Sequence, residues 1–177
     1  MDAKREALQT LAAIPEMAGV LDRVDHVDVV TVQGAVSLRA FVAGLLGRRP
    51  AWLRFLYRLR AGLAFLLGLR QEAASDPQDI QPEAVPMVSG DSLNFFTVVA
   101  AGENRHWVAV AAERHLRAWI GVLVTPLPAG RKKFVVVTVV RYLHWTGPVY
   151  FNLIRPFHAL VVWRMARSAA RLHHQRP

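Results

Sequence analysis

A chain of 177 residues fits one domain with at most a small appendage, and at 53% hydrophobic it has ample material for a core. The absence of cysteine excludes disulfides, thiolate nucleophiles and every cysteine-containing zinc motif. The net charge of +9, from 22 Lys plus Arg against 13 Asp plus Glu, would suit an anionic partner, but the arginine- and alanine-rich make-up reads first as composition bias on a solvated surface.

Residues 1–24 carry Leu8, Leu11 and Ile14 at helical spacing until Pro15 and Gly19 interrupt them. A short helix or mobile leader is expected there, with a single domain over 25–172 and a mobile tail over 173–177. Gln9, Thr10 and Glu16 spoil a signal peptide, and no run of about 18 apolar residues is free of charge. A soluble, cytoplasmic protein is expected.

Residues 26–32 are rich in β-branched side chains and predict a strand. Ser37 is placed to cap a short helix over 38–46, and Gly47 suits its C-terminal end. Pro50 opens a second helix, whose apolar face recurs through Phe55, Leu59, Leu63 and Leu66. That stripe fits a core, and it equally fits a helix lying on a lipid surface. Residues 71–90, punctuated by Pro77, Pro82 and Pro86, predict a long loop with a short edge strand near Ile80 or Val88.

The period then changes to two. Strands are expected over 95–101 and 106–113 around the Gly102-Glu103-Asn104 turn, then over 115–125 and 132–143. The short connections make this an antiparallel meander. In the third of these strands Leu116, Ala118, Ile120 and Val122 share a face, with Arg117 and Trp119 opposite.

Gly147-Pro148 opens a long final helix. Its expected apolar stripe is Tyr150, Leu153, Ile154, Phe157, Val161 and Met165, with Arg164, Arg167 and Arg171 on the opposite, wet side. Pro156 falls inside this pattern. It bends the helix, or a first turn ends near Asn152 and a new helix starts at Arg155.

The fold class is therefore α+β: an antiparallel sheet wrapped around a long C-terminal helix, in the order β-α-α-β(n)-α. The run from His144 to Phe151, the Arg155-Pro156-Phe157-His158 segment, Asp25-His26-Val27-Asp28, Pro50-Ala51-Trp52 and Val85-Pro86-Met87 together resemble a bacterial family of unknown function. Related modules form C-terminal parts of NAD(P)-binding, epimerase-like proteins. The resemblance covers roughly 25–171 and implies a START-like, helix-grip fold, with an apolar cavity between sheet and final helix. It implies no catalytic residue. The chain has no glycine-rich dinucleotide fingerprint, so no cofactor is expected.

Chemical motifs are sparse. The histidines are scattered, with no His-Glu-x-x-His, and the close pair His173-His174 lies in the tail. Glu113 and His115 share a strand face but lack further ligands, so an ordinary surface pair is expected and no metal. Ser89-Gly90-Asp91-Ser92 is no nucleophile elbow, and Gly44-Leu45-Leu46-Gly47 lacks the lysine and hydroxyl of a P-loop. Asp25 and Asp28 flank a strand start, where exposed charge is normal. The strand aromatics Trp107, Trp119, Phe134 and Tyr142 alternate within an apolar pattern, so they suit a core or cavity wall; no nucleic-acid partner is expected.

The residue set with most hydrogen-bonding capacity beside apolar surface is Tyr142, His144, Trp145, Tyr150, Asn152, Arg155 and His158. It could orient the polar end of a hydrophobic small molecule or lipid in the cavity. It could equally be structural, fixing the strand-to-helix corner. Two other functions fit the chain: a cyclase- or isomerase-like enzyme using His144 or His158 as acid–base, and docking to an anionic membrane or a protein through the helix over 50–69.

Overall fold

The computed structural model describes residues 2–47 and 80–171. The expected helix over 50–69, the first part of the following loop and the His173-His174 tail lie outside the described residues. In chain order the elements are α1 (Asp2–Ala12), α2 (Pro15–Leu21), β1 (His26–Gly34), α3 (Leu38–Gly47), a 3-10 turn (Pro82–Ala84), β2 (Ser92–Leu93), β3 (Phe96–Gly102), β4 (His106–Ala112), β5 (Leu116–Pro126), β6 (Lys132–Tyr142) and α4 (Thr146–Ala170).

The strands form one six-stranded antiparallel sheet in the order β1-β6-β5-β4-β3-β2. The α+β class expected from the sequence is present: an antiparallel sheet with helices and a long C-terminal helix after its last strand. The meander β3 to β6 follows from its short turns, where Asn104, Ala129 and Gly130 take positive φ. β1 returns from the start of the chain to pair with β6, His26 opposite Val140 and Gly34 opposite Lys132. A register shift between Val98 and Ala100 marks a bulge in β3.

The sheet carries a core on both faces. On the inner face Trp107, Val122, Phe134 and Val136 pack with Phe41 and Leu45 of α3 and with Ala166 and Ala169 of α4. The Phe41 and Phe134 rings stack at 4.2 Å. On the outer face Val108, Trp119, Val137 and Val139 pack with Ala7, Leu11 and Met17 of the two N-terminal helices. Residues 2–21 are thus helical and part of the sheet's packing, with Leu11 and Met17 almost wholly buried. The signal is in β6: every residue from Phe134 to Val140 is buried, and a strand apolar on both sides needs cover on both.

Local chemistry accounts for the connections. The Ala40 amide donates to Ser37 Oγ at 3.1 Å, so Ser37 caps α3 as its position suggested. No strand forms at Ile80 or Val88: Pro82 opens a 3-10 turn, and the edge strand comes later, at Ser92–Leu93. The loop is tied down by Trp107 Nε1 donating to the Pro86 carbonyl at 2.9 Å and by Arg39 Nη1 donating to the Val85 carbonyl at 2.8 Å.

α4 departs from expectation in its rotation. Leu153 and Phe157, expected inside, are 53% and 48% exposed, while Phe151, Ala166, Ala169 and Ala170 are buried. The inner seam is made of small residues, which let the helix approach closely: a Cβ on Gly34 would stand 2.5 Å from the Ala170 carbonyl oxygen. A pattern weighted toward large apolar side chains passes over such a seam. The backbone stays helical through Pro156, so one continuous helix replaces the two-helix alternative.

Candidate functional site

Seven residues were expected to form the site, and the structure divides them. His144, Trp145, Asn152 and Arg155 are exposed, Trp145 at 72%. The side chain of Tyr150 is outside the described residues. Tyr142 and His158 are half-buried and lie on either side of Phe151, whose ring centroid is 6.1 Å from Tyr142 and 6.0 Å from His158.

The corner between β6 and α4 is held by backbone groups instead of the polar side chains. The His115 carbonyl accepts from the amides of Leu143 at 2.9 Å and His144 at 3.3 Å, and the His144 carbonyl accepts from Gly147 N at 2.9 Å. A Cβ on Gly147 would lie 2.7 Å from that same His115 oxygen, so glycine is needed for the approach. His115 is only 3% exposed, its Nε2 standing 3.3 Å from Glu113 Oε2. This corrects the expectation of a surface pair: the corner folds over the β4–β5 turn and buries the ring.

His158 meets two residues not expected in the site. His26 and Asp28 are two apart on β1, so both point to the inner face, the side of Val30 and Val32. His26 Nε2 lies 2.8 Å from Asp28 Oδ2, and His158 Nδ1 lies 4.0 Å from the same oxygen. The two β1 atoms are shut off from solvent without a well-aligned hydrogen bond between them, so the contact is chiefly electrostatic. Across the ladder, Asp28 faces the buried Thr138. Phe151 covers the His26 ring at 4.9 Å. The side chains of Asp28 and His158 keep 27% and 28% of their surface open, at the edge where β1 has no further strand neighbour.

Tyr142 closes one end of this group. Its amide donates to Asp25 Oδ2 at 2.6 Å. Burial first, then the Asp25 carboxylate, raises its phenol above the usual value, with Arg155 opposing. The hydroxyl therefore stays protonated at neutral pH and available as a donor. Asp25 and Asp28 are thus not the ordinary exposed charge expected at a strand start; the sequence signal for this is that His26 and Asp28 share the parity of Val30 and Val32.

The arrangement offers a carboxylate, two imidazoles and a phenol beside an aromatic ring and the Thr138 hydroxyl, on a face that is mostly apolar. Among the described residues no group of three His, Asp or Glu side chains is placed to hold a metal ion. A separate open groove of about 490 Å³ lies on the outer side, between α1 and β1, where Leu8, Leu21, Val24 and Val27 form its wall and Lys4 its rim. It does not reach the polar group, because Val27 points away from His26 and Asp28.

Among solved structures, the norcoclaurine synthase of Thalictrum flavum in complex with dopamine and hydroxybenzaldehyde is 14% identical, covers 91% of this chain and 94% of its own, and superposes with a TM-score of 0.42. A truncated form of the same synthase is 14% identical, covers 86% and 95%, and scores 0.41. No curated protein matches by sequence. Residues 20–165 match the family model described as "Protein of unknown function (DUF2867)", and the chain belongs to that family.

Proposed function

We propose that this protein binds a small, mainly hydrophobic molecule against the inner face of the sheet, beneath the first half of α4, with the ligand's polar end at Asp28, His158 and Tyr142. One observation carries the proposal: His26, Asp28 and His158 converge, beside the buried Thr138, on an inner face that is mostly apolar. Polar groups in such a place are costly unless they are used, and ligand sites combine an apolar wall with a few polar groups that fix orientation. The ligand class is an apolar body bearing a hydroxyl, carbonyl or amine. The site residues are those of the sequence-based set that turn inward, joined by two from β1. Gentle purification followed by organic extraction and mass analysis tests the idea. A stoichiometric small molecule in the extract supports it, and an empty extract from protein with an unperturbed fold speaks against it.

A second function is favoured by the 2.8 Å approach of Asp28 to His26. A carboxylate that orients an imidazole prepares it for proton transfer. An acid–base enzyme would then use His26 or His158, and not His144, which is exposed at the corner. Turnover of an extracted ligand by wild type, lost in both His26→Gln and His158→Gln, would establish it; unchanged ligand would leave a binding protein.

A further inference from the structure

No helix among the described residues is long and apolar enough to cross a membrane. α4 nevertheless presents a continuous apolar row to solvent. Leu153, Phe157, Leu160 and Trp163 follow one another at spacings of four, three and three, which places them on one face, and they are 53%, 48%, 47% and 41% exposed. Trp145, 72% exposed, stands at the helix's N-terminal end. The same face then changes character. Arg164 is four residues after Leu160, Arg167 four after Trp163, and Arg171 four after Arg167; all three are exposed. The Arg167 guanidinium lies 5.1 Å from the Trp163 ring centroid, which fixes both on that side. No Asp or Glu follows Glu113 anywhere in the chain, although lysines and arginines continue to its end.

We propose that this face of α4 docks the protein on an anionic lipid surface. A large exposed apolar row on a folded domain marks a contact surface. The charge decides which contact. A second copy laid antiparallel would set three arginines on Leu153 and Phe157, and laid parallel it would set arginines on arginines. Neither brings an acidic partner to Arg167 and Arg171. A bilayer interface accepts apolar side chains at the acyl boundary and offers phosphates to guanidinium groups beside it. Tryptophans at both ends of the row suit the headgroup level, where the ring is half apolar and its N–H remains wet. The acid-free C-terminal part of the chain adds long-range attraction. This surface lies on the side of α4 away from the polar group at Asp28, so docking leaves that site's contacts with the sheet intact.

Flotation of the full chain with phosphatidylcholine vesicles, with and without phosphatidylglycerol, tests the proposal. The expected result is binding only to the anionic vesicles, a blue shift of tryptophan emission, and release by high salt. Arg167→Gln and Arg171→Gln each weaken binding about fivefold, from about 1 kcal/mol per cation at such a surface. Leu153→Ser with Phe157→Ser abolishes it, while unchanged circular dichroism shows that the fold persists. The proposal is overturned if the chain does not float with anionic vesicles at low salt. It is equally overturned if the Leu153→Ser, Phe157→Ser variant floats like wild type, or if wild type is a dimer that this variant converts to monomers without any vesicle binding.

Discussion

Asp28 is the residue on which the candidate site turns. Its Oδ2 serves both His26 and His158, and the buried Nε2 of His26 has no closer partner on the described inner face. Removing the carboxylate alone strands that nitrogen, at a cost of about 1–3 kcal/mol. Asp28→Ala is therefore expected to lower stability by that amount in urea unfolding. The double change His26→Leu with Asp28→Val removes both partners and restores most of it, because an apolar pair fits the inner face that Val30 and Val32 already line. A double variant as unstable as Asp28→Ala would show that the pair has no such cost. At the other end of the sheet, His106 tests a proton. Burial and then the charge of Arg105 lower its pKa from 6.5, with Glu16 opposing. The fold thus prefers the neutral ring, and the unfolded chain binds more protons once the pH falls to its own pKa. This contribution is intact above about 6.5 and is lost as pH drops toward the lower folded value. Between pH about 7 and 5 the melting temperature of wild type should fall further than that of His106→Gln; parallel curves would remove His106 from the account.

At the scale of elements, close approach of backbones fixes where α4 lies. Gly34 passes the C-terminal end of α4 and Gly147 passes the β4–β5 turn, each with no room for a Cβ. Gly34→Ala must push the helix from β1, and overpacking of this kind costs about 1–3 kcal/mol. Since the same helix carries His158, the change should also weaken any ligand held at Asp28; a variant of normal stability and normal ligand content would contradict the packing described. On the outer face, Leu11 of α1 is 1% exposed against the sheet. Leu11→Ala is expected to cost about 2–5 kcal/mol, the range for deleting a buried leucine side chain. A cost near zero would mean that residues 2–12 are a dispensable leader. The strands were legible from alternation and turns because each rule acts locally. The role of α1 was not, since Leu8, Leu11 and Ile14 look weak without the doubly apolar β6 beside them. The rotation of α4 was hidden for a similar reason: Ala166, Ala169 and Ala170 carry little hydrophobic weight singly but form the seam that the glycines admit.

At the scale of the whole molecule, the sheet separates two environments. α1 and α2 seal its outer face, while α3 and the C-terminal half of α4 seal one end of its inner face. Beneath the first half of α4 the inner face turns polar at His26, Asp28 and His158. Of the set expected from sequence, Tyr142 and His158 face this group, Arg155 stands exposed but near enough for its charge to act on the Tyr142 phenol, and His144, Trp145 and Asn152 are exposed. The helix's rotation decides that division, and it depends on long-range contacts that no local pattern contains. His26 and Asp28 were readable in principle from their parity with Val30 and Val32. Their convergence with His158 was not, because β1 and α4 lie at opposite ends of the sequence.

The claim that this inner polar group holds an apolar ligand is tested most directly by native mass spectrometry of gently purified wild type beside Asp28→Ala. Wild type should carry one noncovalent small molecule that denaturation releases, and the folded variant should carry little or none. Wild type at the mass of its polypeptide alone, or a folded Asp28→Ala with undiminished ligand, would contradict it.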